Sequence, residues 1–184
     1  MGFKFQVKGL RLKGLHQVYL GLGSNLGDKE ENIRKAISLI NEQIGTVVRQ
    51  SALFYSEPWG FESENQFVNA AICVSTSLTP HEVLKANQRI EHQLGKTAAH
   101  ATERPNELQQ QPTPNSQQPT PNSQQPTTIT YHDRPIDIDI LLYDDLHIDE
   151  PELKIPHPLM QMRDFVMIPL REIWITYADP EPSR

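Results

Sequence analysis

The chain has 184 residues, 37% apolar and 22% charged, with a net charge of −6. That length suits one domain, and no window approaches the ~18–20 apolar residues of a membrane span. The acidic balance argues against a surface built to coat nucleic acid, and the single Cys73 excludes a disulfide framework and a cysteine-based zinc site. A small, acidic, cytoplasmic domain is the class that remains.

Part of the low apolar fraction has a local cause. Residues 109–128 contain only Gln, Pro, Thr, Asn and Ser; without these 20, roughly 41% of the remaining 164 residues are apolar, enough for an ordinary core.

Residues 1–17 carry Lys4, Lys8, Arg11 and Lys13, no acid and no continuous apolar run. They read as an extension without chemistry, and a secretory signal is not expected. Residues 18–22 read as a short buried strand that ends in the turn Gly23-Ser24-Asn25. A helix follows: Asp28 and Glu31 form a capping-box-like pair, and Ile33, Ala36, Ile37, Ile40 and Ile44 share a face before Gly45. Residues 46–55 and 66–76 are rich in β-branched and aromatic side chains and read as strands, joined by a loop. Thr79-Pro80-His81-Glu82 opens a second helix with Val83, Asn87, Ile90 and Leu94 on its face and Gly95 at its end.

A polar repeat comes next. QQPTPNS at 110–116 recurs at 117–123, and a third copy begins at 124. The period of seven carries no apolar residue and two prolines per copy, which excludes a coiled coil and leaves a solvated insert over 105–128. Beyond it, residues 136–142 read as an apolar strand, followed by loops and short helices, with residues 176–184 as a tail. The order β-α-β-β-α-β over residues 18–175 predicts an α+β domain of the ferredoxin-like, split βαβ kind. Its antiparallel sheet would carry two helices on one face.

The chemistry concentrates in Ile136-Asp137-Ile138-Asp139-Ile140. Alternation puts Asp137 and Asp139 on one face, with Cα atoms roughly 6.5–7 Å apart, and the isoleucines on the other. Asp is a poor strand former, so a pair of them needs a reason. Two carboxylates so close repel each other, and a hard cation such as Mg²⁺, sharing phosphate oxygens, is the natural occupant. Polar alternation on a half-exposed strand is the plainer alternative. Arg134, Lys96, Arg163 and His157 could complete a polyphosphate site around that strand, although each alone is an ordinary surface or hydrogen-bonded residue. The Gly21–Gly27 stretch resembles a phosphate cradle but lacks a P-loop's ending, and a tight strand-to-helix turn explains its glycines equally well. Phe67 and Asn69 share a strand face that could offer a stacking ring and an amide to a flat heterocycle; core packing is the simpler reading of Phe67.

With these residues in view the chain resembles the 6-hydroxymethyl-7,8-dihydropterin pyrophosphokinases of folate biosynthesis. The matching segments are YLGLGSNLGD, FYSEPWGF, FVNAAI, QRIEHQLGK, RPIDIDILLY and IPHPLMQMRDFVMIPL. They thread the chain from Tyr19 to about Ile173, omitting only the insert. The resemblance implies transfer of the β,γ-pyrophosphoryl group of ATP to the pterin hydroxymethyl oxygen. It implies two Mg²⁺ ions on Asp137 and Asp139, with Arg134 and Lys96 completing the catalytic group. The pterin would lie among Glu57, Pro58, Trp59, Phe67, Asn69 and Phe165. ATP would be held by Gln88, Glu91, Tyr131, Arg134, Ile140, His157 and Arg163. A monomer acting on these two small molecules is implied, with neither nucleic acid nor membrane as partner.

The chain departs from the family pattern at Lys96, where many relatives carry an arginine, and in the insert. In the insertion region around it Arg104 is the only arginine, and Tyr131 stands near a usual tryptophan. Two other readings compete. One is a nucleotidyltransferase, in which a DxD strand follows a GS turn closely; here over a hundred residues intervene. The other is a non-catalytic ferredoxin-like interaction domain, which would have no need of Asp137 and Asp139 on one face.

Overall fold

The structure, a computed structural model, describes residues 14–59, 63–96 and 133–175. The N-terminal extension up to residue 13, the Gln/Pro insert with Arg104 and Tyr131, and the tail from residue 176 lie outside them.

Strand β1 (His16–Ser24) leads into α1 (Lys29–Gln43). The Asp28 side chain accepts from the Glu31 N–H and fills one of the bonds that a helix start leaves open. Ile33, Ala36 and Ile40 bury the inner stripe of α1 completely. Then come β2 (Thr46–Gln50), β3 (Phe54–Ser56) and β4 (Phe67–Thr76). Helix α2 (Pro80–Gln93) begins with a complete capping box between Thr79 and Glu82, and Val83, Ala86 and Ile90 bury its inner face. Strand β5 (Asp137–Tyr143), the hairpin β6 (Ile148–Asp149) and β7 (Lys154–Ile155), and α3 (Asp164–Ile175) complete the described chain.

The main sheet is antiparallel in the order β2-β4-β1-β5, with β3 also paired to β4. An α+β class with an antiparallel sheet and helices against it is what the sequence predicts. Three details differ. The strand expected over residues 46–55 is broken, because Ser51 pairs with Ala71 through both its backbone N–H and its hydroxyl. The five residues from Gln50 to Phe54 face the four from Ile72 to Asn69 on β4, so one residue bulges out. The region expected as loops and short helices holds the 12-residue α3, whose Pro169 disguises it.

The third difference concerns the layers. Helices α1 and α2 cover one face of the sheet over Val18, Leu20, Leu22, Val68, Ile72, Ile138 and Ile140. Helix α3 covers part of the other face, where Met167, Leu170 and Ile173 pack on Tyr19, Ala71, Cys73, Leu141 and Leu142. Adjacent Leu141 and Leu142 share that face because the β1–β5 register shifts between Tyr19 and Leu20. The sheet is therefore sandwiched, but α3 covers only one end of its second face.

Candidate active site

On the α3 face, each central strand changes character along its length. β4 runs from Cys73 and Ala71 to Asn69 and Phe67, β1 from Tyr19 to Gly21 and Gly23, and β5 from Leu141 to Asp139 and Asp137. Where the apolar residues end, α3 ends too, and a cleft opens. It spans about 660 Å³ of space between the atoms, open solvent at its mouth included.

The cleft floor is a matched row. Gly21 lies opposite Asp139 and Gly23 opposite Asp137, while Gly23 faces Asn69 across the other ladder. A Cβ at position 23 would sit 3.3 Å from Asn69 Oδ1 and press on that amide. The Asn69 Nδ2 donates to Ser56 Oγ at 3.0 Å and to the Phe54 carbonyl at 3.3 Å, which fixes the amide orientation. Phe67, Glu57, Trp59 and Phe165 join the walls, as do Arg134 and Arg163. The Arg134 guanidinium stands 5.6 Å from the Phe67 ring centre, and that of Arg163 lies 4.7 Å from the Trp59 ring and 5.8 Å from Phe165. Aromatic rings and arginines are thus interleaved above two carboxylates.

The carboxylates differ in their surroundings. Lys96 Nζ lies 2.6 Å from Asp137 Oδ1, and Arg134 Nε is 3.5 Å from Asp137 Oδ2. Burial alone would raise the Asp137 carboxyl, but Arg134 and Lys96 outweigh it and hold it down at about 2. Asp139 makes no hydrogen bond or ion pair among the described residues, and burial together with the Asp137 charge pushes its carboxyl up. An oxygen-only pair open to a cleft, with one member making no direct ion pair among the described residues, fits a hard divalent cation. His81, Glu150 and Glu152 also bring donor atoms within 4.8 Å of one another, but none of them lines the cleft.

Several expected site residues lie elsewhere. Ile140 points to the opposite face and is core packing beneath the helices, not a wall of the cleft. Gln88 is exposed on α2 and Pro58 is half-buried between two wall residues; neither lines the cleft. His157 donates its backbone N–H to the Leu141 carbonyl, and its charge acts on Asp139, while its ring Nδ1 is buried without a hydrogen-bond partner among the described residues. Tyr131 falls outside the described residues.

Glu91, expected on the nucleotide side, is engaged with the protein. β5 is an edge strand, and Ile138 turns its backbone polar groups toward α2: Glu91 Oε1 accepts the Ile138 N–H at 2.7 Å, and Asn87 Nδ2 approaches the Ile138 carbonyl at 3.4 Å. Lys96 Nζ donates to the same Glu91 oxygen at 2.9 Å. Burial first, then the Asp137 charge, pushes the Glu91 carboxyl up to about 7, against the pull of Lys96. The same two carboxylates raise Lys96, more than offsetting its burial.

Sequence reasoning left the glycines as a turn or cradle and did not join them to the aspartates. The signal was the shared period of two, Gly21 and Gly23 against Asp137 and Asp139.

Comparison with known proteins bears on the same segments. The profile of the family 7,8-dihydro-6-hydroxymethylpterin-pyrophosphokinase matches residues 19–110 and 115–175. A 2-amino-4-hydroxy-6-hydroxymethyldihydropteridine pyrophosphokinase of Porphyromonas gingivalis is 36% identical over 169 residues, covering 90% of this chain and 97% of its own. The Bacillus subtilis protein of the same name is 35% identical over 156 residues, covering 84% and 76%. Among solved structures, a Plasmodium falciparum HPPK-DHPS triple mutant with pteroate superimposes with a TM-score of 0.57 at 14% identity. It shares the fold over 86% of this chain, which spans 40% of that longer protein. With a profile match running through both the glycine row and the aspartate strand, the chain belongs to the 7,8-dihydro-6-hydroxymethylpterin-pyrophosphokinase family.

Proposed function

We propose that this enzyme transfers the β,γ-pyrophosphoryl group of ATP to 6-hydroxymethyl-7,8-dihydropterin, a step of tetrahydrofolate biosynthesis. The observation that carries the reading is the single cleft in which an aromatic and amide wall adjoins a floor of paired aspartates. In the reaction the hydroxymethyl oxygen bonds to the β-phosphorus. The bond from that phosphorus to the α,β-bridging oxygen breaks, AMP leaves with the electron pair, and the hydroxyl proton is released.

The protein's task in such a transfer is positioning and charge neutralisation. Phe67 and Phe165 present rings to the flat pterin, and Asn69 Oδ1, held over Gly23, accepts from its edge; Glu57, Pro58 and Trp59 border it. Arg134, Arg163 and His157 face the triphosphate, with Lys96 at Asp137; the resemblance alone adds Gln88, Glu91, Tyr131 and Ile140 as nucleotide residues. Asp137 and Asp139 would hold Mg²⁺, two ions by the family resemblance, which when bound neutralises phosphate charge. No side chain of the cleft is required as a base.

The same reading takes residues 18–175 as one domain of the ferredoxin-like, split βαβ kind, supported by β4 lying between β2 and β1. It places the polar insert over 105–128, and the resemblance alone carries the expectation of a cytoplasmic monomer. Incubation with ATP, Mg²⁺ and the pterin alcohol tests the activity. AMP and pterin diphosphate formed one to one support it; inorganic pyrophosphate with an adenylylated product would establish nucleotidyl transfer instead.

A further inference from the structure

The turn Gly23-Ser24-Asn25 closes β1, and its asparagine bonds to the protein in a way that a phosphate cradle would not need. Asn25 is buried, 1% exposed. Its backbone N–H donates to the Arg134 carbonyl at 3.1 Å, and its Oδ1 accepts the Arg134 backbone N–H at 2.7 Å. Its Nδ2 donates to Asp133 Oδ1 at 2.6 Å, and the second Asp133 oxygen accepts from Asn65 Nδ2 at 2.7 Å. One carboxylate therefore ties together the turn after β1, the loop before β4 and the run into β5.

The location gives these bonds a purpose. The β1–β5 ladder begins only where Gly23 meets Asp137, and Pro135 has no N–H to extend it. Residue 134 lies before the ladder, yet its guanidinium stands beside the Phe67 ring and Asp137. Asn25 supplies the missing rung, with its backbone N–H and its side-chain oxygen serving as a strand partner. On the other arm, Asn65 precedes Gln66, whose Nε2 donates to Glu57 Oε1 at 2.6 Å on the cleft wall.

We infer that Asn25 and Asp133 form a positioning clamp for Arg134, which sets that arginine against the triphosphate and couples it to the loop that walls the pterin. Neither residue touches substrate; both act through Arg134. The inference rests on the reading of Arg134 as a phosphate-facing residue. A plain loop staple, the alternative, would contribute to stability but would not depend on the arginine.

A double-mutant cycle on the full chain separates the two. Affinity for α,β-methylene-ATP, whose cleavable bridge is replaced, is measured by calorimetry with Mg²⁺ for Asp133→Ala, Arg134→Ala and the double variant, alongside thermal melting. The clamp predicts that Asp133→Ala weakens binding about ten-fold in the native background and less than about two-fold once Arg134 is gone. An equal loss in both backgrounds overturns it and leaves only a staple. Native affinity in Asp133→Ala with impaired Arg134→Ala overturns the clamp alone, whereas native affinity in Arg134→Ala overturns the reading of the arginine and the clamp with it. Should Asp133→Ala fail to fold, Asp133→Asn, which keeps the shape and one acceptor oxygen, enters the same cycle.

Discussion

The two faces of the sheet are built from the same strands and do opposite work. Under α1 and α2 the inward positions are mostly apolar, Asn87 and Glu91 against Ile138 being exceptions, and the residues at the centre are sealed from water. On the α3 face the same strands carry apolar side chains only as far as Leu141, Ala71 and Tyr19, and then turn to Asp, Asn and Gly. Because side chains alternate, each strand can hold a full core on one side while changing chemistry on the other. Ile138 and Ile140 anchor β5 in the closed layer while Asp137 and Asp139 stand in the open one. Rigidity comes from one face and reactivity from the other, so substitutions on the two faces should fail in different ways.

The sharpest contrast comes from the aspartates. Asp137→Ala and Asp139→Ala are each expected to cut turnover about a thousand-fold, near 4 kcal/mol of transition-state stabilisation, with a folded, cooperative melt. Either variant keeping more than about a tenth of native turnover contradicts its place at the metal.

On the closed face, Ile40→Ala should do the reverse. It removes a fully buried side chain from the layer between α1 and the sheet. The expected loss is about 3 kcal/mol of stability, a melting temperature lower by ~6–12 °C, with both KM values unchanged within about two-fold below the transition. A kinetic defect in the folded variant would show that the two faces are not separable.

Within the open face, Phe165→Ala should weaken pterin binding about ten-fold and leave ATP binding nearly unchanged, since a ring stacks on the flat heterocycle and not on phosphates. Calorimetry with each ligand decides it; equal losses for both would dissolve the division of the cleft into two halves.

The smallest effect belongs to the exposed start of α2, away from the cleft. Thr79→Ala removes the cap of α2 and should cost about 1 kcal/mol of stability with no change in turnover. The Glu82 carboxyl is lowered by hydrogen bonds from the Thr79 backbone and hydroxyl. Its contribution is therefore present above the unfolded carboxyl value and fades as pH falls through the lower folded one. Melting curves between neutral and acid pH should show the native chain losing its advantage over Thr79→Ala, and an advantage that grows toward acid would refute the box.

Much of this was legible because it is local. The capping residues at 28 and 79, the stripe Ile33-Ala36-Ile40 and the Asp137–Asp139 alternation depend on periodicity alone, and the structure has each in place. The sandwich was harder to see. Pro169 hides α3, and coverage of a second face is a tertiary fact that no single strand's pattern declares. The Ile140 side chain packs in the closed core, which motif membership does not reveal and strand parity does. In the sequence Glu91 reads as a nucleotide-side residue and Asn25 as part of a turn. Their engagement with Ile138 and Arg134 arises from pairings across 47 and 109 positions, beyond the reach of any local signal.

The central claim is that the open end of the second face, beside the first turn of α3, is where the metal and both substrates meet. Crystals grown with Mn²⁺, α,β-methylene-ATP and the pterin alcohol would test it through the anomalous signal of the metal. The account predicts manganese bound by Asp137 and Asp139, with the pterin against Phe67 and Phe165 in the same cleft. Manganese confined to His81, Glu150 and Glu152, with nothing at the aspartates, would contradict it.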